Sequence, residues 1–448
     1  MKLIVAKFGG TSVANYAAMQ NCLKIITNHP KPVLTVLSAP AGVTNHLVTL
    51  GAEALTDTQR TDIISQIQTQ VTGIAMQCHS SDKLLKQIQL LIDELTVTAN
   101  HPSAQFNADI KDQLLSFGER FSTLLFTQML IEAGHEAVNF DVRNVMLTDD
   151  QFGQAAPDTE AVADACSNVL LPHLGQHYVV TQGFIGRAPN GKTTTLGRGG
   201  SDYSAALLAE ALHAERCEIW TDVPGVFTTD PRLVEQAFPL QELSYDEAAE
   251  MANFGAKVLH PATLAPTLRK NIPVFVGSSR HPEQGGTLIV KDCIEEPPFR
   301  AITRRREQDL VTLHTPKMLR TSKFIGHVFN VLDKHGLSID LITTSETSIS
   351  LTFNDPENTT LSHLNQQAIE DLKQICDVQV DEGLDLITLV GNKLHESKGI
   401  SSTIFSALQS FRVRMICYGA NPHNISFLMD KTDSEQAIQV LHKALFNS

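Results

Sequence analysis

The chain has 448 residues, of which 42% are hydrophobic and 19% are charged, and its formal net charge is -14 at pH 7. This length predicts about two to three domains with cores of ordinary soluble type. The acidic balance argues against a nucleic-acid partner, because only one short basic run, at 304–306, offers the clustered positive charge that phosphate backbones require. We interpret that run as a solvated surface segment.

The start of the chain and its cysteines indicate a cytoplasmic protein. The first ten residues, MKLIVAKFGG, place only four consecutive apolar residues before a lysine, which predicts neither a signal peptide nor a membrane span. The seven cysteines are widely spaced, and an odd number cannot all pair within one chain. We therefore expect reduced thiols. The 17 histidines show no spacing that predicts a bound metal.

From residue 3 to about 290, predicted strands and helices alternate. LIVAKFGG at 3–10 and VLTVL at 33–37 are apolar runs that lead into small residues, which is typical of buried strands followed by tight loops. The predicted helices span 80–99, 109–134, 202–214 and 244–253, and later strands lie in HYVVTQGFI, CEIWTD and IPVFVGS. This order predicts an open α/β fold whose mainly parallel sheet is covered by helices.

The segment GRAPNGKT at 186–193 matches the phosphate-binding pattern G-x-x-x-x-G-K-[ST]. That pattern binds phosphate where a strand runs through a loop of free amides directly into a helix. Here the lysine is followed by TTTLGRGG, whose β-branched residues and glycines are poor material for the first turns of a helix. Pro189 also removes one amide donor. We therefore predict a turn between two strands, and we look for a nucleotide site elsewhere.

A linker is predicted around 295–299, where paired acids and prolines interrupt the apolar pattern. Beyond it, shorter elements recur at a constant offset of 76 residues. The offset aligns apolar positions of helical and strand-like spacing: Val328, Phe329 and Leu332 with Ile404, Phe405 and Leu408, and Leu337, Ile339 and Leu341 with Val413, Met415 and Cys417. This period is too long for a solenoid, and it predicts a duplicated α+β unit in which a helix covers an antiparallel sheet.

Several predicted loops at strand ends carry groups suited to phosphate chemistry. Lys7 precedes two glycines, Arg198 lies between glycines shortly before Asp202, and Lys257 lies two residues after a glycine. Each has a simpler explanation by itself, such as a tight turn, a helix cap or an exposed helix start. Together, cations, an aspartate and glycine-rich amides are the parts that phosphoryl transfer requires, because that reaction depends on positioning and charge neutralisation.

Five longer segments carry a family resemblance: KFGGTSV, TTTLGRGGSDYSAALLAEAL, WTDVPGVFTTDPR, FGAKVLHPATLAP and RMICYGANPHNISFL. Together they resemble the aspartate kinase family, in its lysine-sensitive, single-function branch, from about residue 3 to 446. The resemblance implies an amino-acid-kinase catalytic domain over 1–295, followed by two ACT domains over 309–381 and 382–448. It also implies that the strand at 309–315 is contributed to the second ACT unit.

The resemblance implies transfer of the γ-phosphoryl group of MgATP to the side-chain carboxylate of L-aspartate, the first step towards lysine, threonine and methionine. Lys7, Asp202 and Lys257 are the implied catalytic residues. Lys7 and the amides of Gly9 and Gly10 are expected to hold the transferring phosphoryl group, and Asp202 to organise the lysines. The other implied nucleotide contacts are Thr221, Asp222, Phe227, Arg232, Lys257 and Val258. Mg²⁺ is expected to be carried by the nucleotide.

The implied aspartate pocket centres on two charged side chains. Arg198 is expected to clamp the α-carboxylate, and Glu119 to receive the α-amino group. The remaining implied substrate contacts are Ser38, Thr44, Gly199, Gly200 and Ser201. One departure from the family pattern is Phe227, where relatives often have tyrosine, so a hydroxyl contact to ATP is lost while ring packing remains.

The resemblance also implies feedback inhibition by L-lysine through the ACT units and a homodimer formed by those units, with pairing of dimers into tetramers left open. The candidate effector residues are Met318, Thr321, Phe324, Ile325, Ser338, Ile339, Asp340, Thr344, Ser345 and Glu346. A simpler interpretation of most of these is an ordinary helix and strand core. An ACT dimer would place the effector site at a subunit interface and couple lysine binding to assembly.

Two alternatives stay open from the sequence. The first is another amino-acid kinase, such as an acetylglutamate or glutamate kinase, although Arg198, Glu119 and the duplicated unit favour a free α-amino acid as the substrate. The second is a catalytically silent amino-acid sensor, which would have no need of the intact Lys7, Asp202 and Lys257.

Overall fold

The computed structural model describes residues 3–29, 32–51, 55–79, 81–101, 107–256, 259, 261–294, 297–315, 321–353, 366–419 and 421–446. The chain forms two compact units. The first comprises Met1–Val226, Pro239–Ala249 and Lys257–Cys293, and the second comprises Phe227–Phe238, Glu250–Ala256 and Ile294–Ser448. Two short segments from within the predicted catalytic domain therefore cluster with the C-terminal unit.

The first unit is built on an eight-stranded sheet and a separate hairpin. Its strands are β1 (Ile4–Phe8), β2 (Val33–Leu37), β3 (Ala137–Phe140), β4 (Tyr178–Gln182), β5 (Ile185–Arg187), β6 (Thr193–Thr195), β7 (Arg216–Thr221), β8 (Glu242–Ser244), β9 (Val274–Ser278) and β10 (Gly286–Val290). The sheet order is β3-β4-β2-β1-β7-β9-β10-β8. Neighbouring strands are parallel except for the β9–β10 pair. This confirms the predicted mainly parallel α/β sheet.

Helices cover this sheet. They are α1 (Tyr16–Thr27), α2 (Val43–Leu50), α3 (Asp57–Ala75), α4 (Ser81–Ala99), α5 (Ala108–Glu132), α6 (Thr159–Ala165), α7 (Gly200–Ala211), α8 (Tyr245–Asn253) and α9 (Pro261–Lys270). Every residue of β1, β2 and β4 is buried, as expected for central strands with helices on both faces. Shorter helical turns span Gly10–Val13, Val142–Asn144, Cys166–Leu170, Leu171–His173 and Pro282–Gln284.

The segment GRAPNGKT forms a hairpin, which confirms that its match to the phosphate-binding pattern is a coincidence of sequence. Strands β5 and β6 are antiparallel, with Gly186 opposite Thr194. Between them, the Ala188 amide donates to Lys192 O at 3.0 Å, which closes a tight turn. The Lys192 ammonium forms an ion pair with Asp109 at 2.5 Å. Strand β6 directly follows the lysine where the pattern requires a helix, so the geometry that would cradle a phosphate does not form here.

In its described residues, the second unit is a six-stranded antiparallel sheet with four helices. The strands are β11 (Phe299–His314), β12 (Ile339–Thr344), β13 (Ser348–Phe353), β14 (Asp377–Gly391), β15 (Val413–Tyr418) and β16 (Asn424–Asp430), and the helices are α10 (Thr321–Lys334), α11 (Gln366–Lys373), α12 (Ile400–Ala407) and α13 (Lys431–Phe446). The sheet order is β12-β13-β11-β14-β16-β15, with all neighbours antiparallel.

Each copy of the predicted repeat has its own core. Val328 and Leu332 of α10 pack against β13 in one cluster, while Ile404 and Leu408 at α12 pack against β16 in another. These are the residue pairs that the offset of 76 aligns. The structure therefore confirms a duplicated unit of helix on antiparallel sheet.

The strand at 309–315 lies differently from the sequence prediction, which joined it to the second copy. Its residues 311–314 pair with 348–351 of β13, and Val311 and Leu313 lie in the core of the first copy. The preceding half of β11 reaches the second copy instead, where Arg304 pairs with Ile387. A strand of 16 residues is long enough to serve both copies, and its own alternation does not say which half serves which.

Among the described helices, none combines the length and apolar composition that crossing a lipid bilayer requires. The seven cysteines are free thiols. Four of them, Cys22, Cys78, Cys166 and Cys217, are buried, so they contribute to the apolar interior.

The hairpin leads to a first prediction. The Lys192→Ala variant should bind ATP with wild-type affinity, within about twofold, because the surface pair with Asp109 contributes little to folding or binding. Lys7→Ala, on β1 just before the glycine loop, provides the contrast and should weaken ATP binding strongly. ATP titration by calorimetry on both variants decides the matter. A loss of ATP affinity in Lys192→Ala comparable to that in Lys7→Ala would restore the phosphate-loop interpretation.

Candidate active site

A cavity of about 320 Å³ opens in the first unit, where β1 and β2 end and α7 begins. Ligands of open α/β sheets usually bind at this edge, because the loops after parallel strands converge there. The cavity is lined by Lys7, Gly10, Ser38, Ala39, Ala41, Thr44, Glu119, Phe184, Gly197, Arg198, Gly199, Gly200, Ser201 and Asp202. Ten of these residues come from the set that the sequence predicts, from four separate segments.

The loop after β1 is fixed to its neighbours by backbone hydrogen bonds. The Gly9 amide donates to Trp220 O at 3.0 Å, and the Ala41 amide donates to Gly10 O at 3.0 Å. A Cβ on Gly10 would lie 2.8 Å from Ala39 O, so only glycine fits there without displacing backbone. The structure thus assigns the Gly9 amide to the sheet edge. The Gly10 amide, at the start of a helical turn, is left for the predicted phosphate contact.

Lys7 and Asp202 form an ion pair in the cavity wall, with Nζ 2.5 Å from Oδ1. Lys7 lies on buried β1, and Asp202 lies in the first turn of α7. The helix begins after Gly199, whose φ of 70° is in the left-handed region that glycine adopts without strain. The pair fixes a cation at the end of the central strand and holds it by a carboxylate at a helix N-terminus, where negative charge is favoured.

Glu119 is a carboxylate enclosed by protein. It is 4% exposed, and its Oε1 accepts a hydrogen bond from the Ala39 amide at 3.0 Å. Burial raises the pKa of Glu119 to about 8, while the Ala39 hydrogen bond and the positive charge of Lys7 act in the opposite direction. A carboxyl group whose pKa lies near neutrality responds to an incoming cation, because binding that cation favours the ionised form.

Helix α5 brings Glu119 to the cavity by a close approach to the loop after β2. A Cβ on Gly118 would lie 2.4 Å from the Ala39 Cβ, so the glycine allows the helix to touch that loop. The same approach places the Ala39 amide within reach of the Glu119 carboxylate. The sequence shows Glu119 among apolar neighbours on a helix but gives no sign of this contact, since the two residues are 80 positions apart.

Arg198 lies in the turn that connects β6 to α7. The turn is built on Gly197 and Gly199, which have φ values of 74° and 70°, and the Gly200 amide donates to Gly197 O at 3.0 Å. The Arg198 side chain is exposed at the cavity mouth. A guanidinium at the rim and a buried carboxylate behind it suit the two charged ends of a small amino acid.

Four lining residues are additional to the predicted set: Ala39, Ala41, Phe184 and Gly197. Phe184 follows β4 with a φ of 69°, unusual for a residue with a side chain, and its amide donates to Ser204 Oγ at 2.9 Å. Its place two residues after the end of a buried strand is the one signal that the sequence offers. Small residues such as Ala39 and Ala41 carry no chemical signature, so only the fold reveals them.

Several predicted nucleotide contacts lie outside this cavity lining. Thr221 ends β7, and the exposed Asp222 follows it, in the first unit. Phe227 is half-buried and Arg232 is exposed, paired with Asp230 at 2.7 Å, and both belong to the second unit. Lys257 and Val258 lie outside the described residues.

The predicted effector residues lie in the first copy of the repeat. Phe324 is buried in its core, and Ile325 and Ile339 pack against that core. Ser338 precedes β12, Thr321 begins α10, and Asp340 pairs with Arg305 of β11. Thr344, Ser345 and Glu346, at the other end of β12, are exposed. Met318 lies outside the described residues.

Comparison with known proteins agrees with this architecture. A model of the amino acid kinase family matches residues 2–278, and an ACT domain model matches residues 387–445. The chain is 47% identical to lysine-sensitive aspartokinase 3 of Escherichia coli over 447 residues, which cover 99% of both chains. It is 34% identical to chloroplastic aspartokinase 3 of Arabidopsis thaliana over 472 residues, which cover 99% of this chain and 82% of the relative.

Two solved structures of the E. coli aspartokinase III are similar over the whole chain at 47% identity. The complex with aspartate and ADP superposes with a TM-score of 0.88 and covers 99% of this chain and 100% of the other. The complex with lysine and aspartate gives a TM-score of 0.86 and covers 100% of both.

The close packing at the cavity leads to a second prediction. A Cβ on Gly183 would lie 2.8 Å from Ser201 Cα, so Gly183→Ala should push β4 away from the start of α7 and destabilise the fold by about 1–3 kcal/mol. Gly73→Ala, at an exposed position of α3 with no atom within 4 Å of its new Cβ, is the matched control and should stabilise by about 0.5–1 kcal/mol. Thermal unfolding measures both. Equal midpoints for the two variants would contradict the close approach.

Proposed function

Since the chain belongs to the aspartokinases of the amino acid kinase family and is an aspartate kinase, we propose that its cavity is where L-aspartate receives the γ-phosphoryl group of ATP. The observation that carries this assignment is the convergence of Lys7, Glu119, Arg198 and Asp202, from three separate segments of the chain, on one cavity at the sheet edge. In this reaction a side-chain oxygen of aspartate attacks the γ-phosphorus, the bond to the bridging oxygen breaks, and ADP leaves with 4-phospho-L-aspartate.

Lys7 and the Gly10 amide hold the transferring group in this proposal. The ion pair with Asp202 fixes the Lys7 ammonium at the end of β1, so the cation is in place before the phosphoryl group arrives. A preorganised cation lowers the barrier because charge spreads over the oxygens of the transferring group in the transition state. Lys257 is proposed as the second cation, on the family resemblance alone.

The aspartate substrate is held by its two α-substituents. The buried Glu119 carboxylate accepts the α-ammonium, and Arg198 at the rim binds the α-carboxylate in a bidentate manner. Ser38, Thr44, Gly199, Gly200 and Ser201 line the space between them. Holding both ends directs the side-chain carboxylate towards Lys7, which gives the near-attack geometry that a two-substrate reaction requires.

Mg²⁺ is proposed to enter with the nucleotide. Among the described residues, no group of three or more His, Cys, Asp and Glu side chains could enclose a metal ion. We therefore propose an ion coordinated mainly by phosphate oxygens and water, as Mg²⁺ usually is in kinases. When bound, the ion neutralises charge on the phosphates. Thr221, Asp222, Phe227, Arg232 and Val258 stay predicted nucleotide contacts, and the domain boundaries and cytoplasmic location also stay predictions.

We further propose that L-lysine inhibits the enzyme through the first copy of the repeat and that two chains form each effector site. Asp340 and Thr344 occupy opposite ends of β12, and the rise along a strand separates them by about 13 Å. At that separation the two ends of the strand can serve two different bound lysine molecules. In a homodimer that places the start of β12 in one chain beside the end of β12 in the partner, each bound lysine would contact both groups of predicted effector residues. Pairing of such dimers gives the tetramer that the resemblance allows.

The direct test of function is phosphoryl transfer from MgATP to L-aspartate, with the acyl phosphate trapped as its hydroxamate. Hydroxamate should form only with aspartate present, and its rate should fall as L-lysine is added. Turnover that does not change when L-lysine is added would support the kinase function but contradict the assignment of lysine as the effector. An absence of turnover with aspartate would overturn the function, and N-acetylglutamate and glutamate assayed in parallel test the other amino-acid kinases.

The pKa of Glu119 leads to a prediction on pH dependence. Because that pKa is about 8, the carboxyl in the free enzyme is protonated at lower pH and lacks the charge that holds the substrate ammonium. The KM for aspartate should therefore fall, by up to about tenfold per unit, as pH rises from roughly 6.5 to 8, and level off above it.

The KM for ATP over the same pH range is the internal control, since Glu119 is not placed at the nucleotide. Glu119→Gln is neutral at every pH, so it should show a high KM for aspartate without this pH dependence. A wild-type KM for aspartate that stays flat across the range would argue against ionised Glu119 as the ammonium partner.

A further inference from the structure

A second buried carboxylate lies on α5, outside the cavity lining. Asp112 is 2% exposed and accepts three hydrogen bonds. Its Oδ2 accepts from the amides of Gly153 at 2.9 Å and Thr195 at 2.7 Å, and its Oδ1 accepts from the Thr195 hydroxyl at 2.9 Å. Burying a carboxylate is unfavourable unless such bonds replace its water. The side chain is therefore a fixed junction between a helix, a loop and a strand.

The two elements joined by Asp112 carry the two groups that hold the substrate. Asp112 and Glu119 are seven residues apart on α5, which is two helical turns, so they lie on the same face. Thr195 ends β6, three residues before Arg198. Asp112 thus ties the helix bearing the ammonium partner to the strand that leads into the carboxylate clamp.

The third bond of Asp112 fixes the Arg198 turn from its other side. Gly153, whose amide donates to Asp112, approaches Gly197 so closely that a Cβ on Gly197 would lie 3.3 Å from Gly153 O. The Ala155 amide also donates to Thr195 O at 2.9 Å. One carboxylate therefore positions both the strand entering the turn and the loop packed against it.

We propose that Asp112 is a positioning residue for the aspartate pocket, setting the separation between Glu119 and Arg198 without touching the substrate. The inference rests on the proposed function. Loss of the junction allows the Arg198 turn to shift relative to α5, and a pocket that holds a small amino acid by both ends is sensitive to that distance. The Lys7 cation is held by Asp202 on α7, and neither residue takes part in these three bonds.

Steady-state kinetics with the hydroxamate assay test this on the full-length enzyme. Asp112→Ala should raise the KM for L-aspartate about tenfold and leave the KM for ATP within about twofold. Asp112→Asn should restore near wild-type constants, because an amide oxygen can accept both backbone amides while its NH₂ donates to the Thr195 hydroxyl. Asp109→Ala is the matched control. It removes the surface pair with Lys192, one turn earlier on the same helix, and should leave both KM values unchanged.

A rise in both KM values together, or a lower unfolding midpoint with unchanged KM for aspartate, would assign Asp112 to folding alone and overturn the proposal. If Asp112→Ala does not yield folded protein, Thr195→Val removes one of the three bonds, and an unchanged KM for aspartate in that variant overturns the proposal equally. Wild-type enzyme without aspartate-dependent turnover would defeat the proposed function itself. If the wild-type enzyme turns over aspartate and the Asp112→Ala variant has an unaltered KM for L-aspartate, only the inference about Asp112 is defeated.

Discussion

The ion pair between Lys7 and Asp202 is the contact around which the catalytic unit is organised. A lysine on a fully buried central strand needs a partner, because an unpaired ammonium in that position loses its hydration without compensation. The partner comes from the first turn of α7, which therefore has to begin beside the end of β1. Gly199, in the left-handed conformation, starts α7 at this point, and the pairing of β1 with β2 and β7 fixes the strand that carries Lys7.

Close approach of backbone is the second constraint on the site. Gly10, Gly118 and Gly183 each lie where an added Cβ would come within 2.8 Å of a neighbouring atom from another segment. These contacts bring the loops after β1 and β2, the middle of α5 and the start of α7 into a space small enough to enclose Glu119. The raised pKa of that carboxyl is a consequence of the same packing, since burial is its largest cause.

The second unit follows a different principle, in which two copies of the repeat share long strands. Strands β11 and β14 pair along most of their length, with one half serving each copy, while each copy keeps its own apolar core. The segments Phe227–Phe238 and Glu250–Ala256 cluster with this unit although their sequence lies within the kinase portion. These two segments therefore belong in space to the second unit, although in sequence they lie between parts of the first.

The sequence by itself determined the alternating α/β order, the duplicated C-terminal unit and the strand-turn-strand form of GRAPNGKT, because periodicity and turn chemistry are local properties. It also indicated most of the charged residues of the cavity, since charge beside glycine at a strand end is a recognisable pattern. Only the tertiary structure decided which half of β11 serves which copy, how the Gly9 amide is used, and that Asp112 and Glu119 are buried. Each of these depends on partners distant in sequence, whose contact follows from packing rather than from the pattern of either segment.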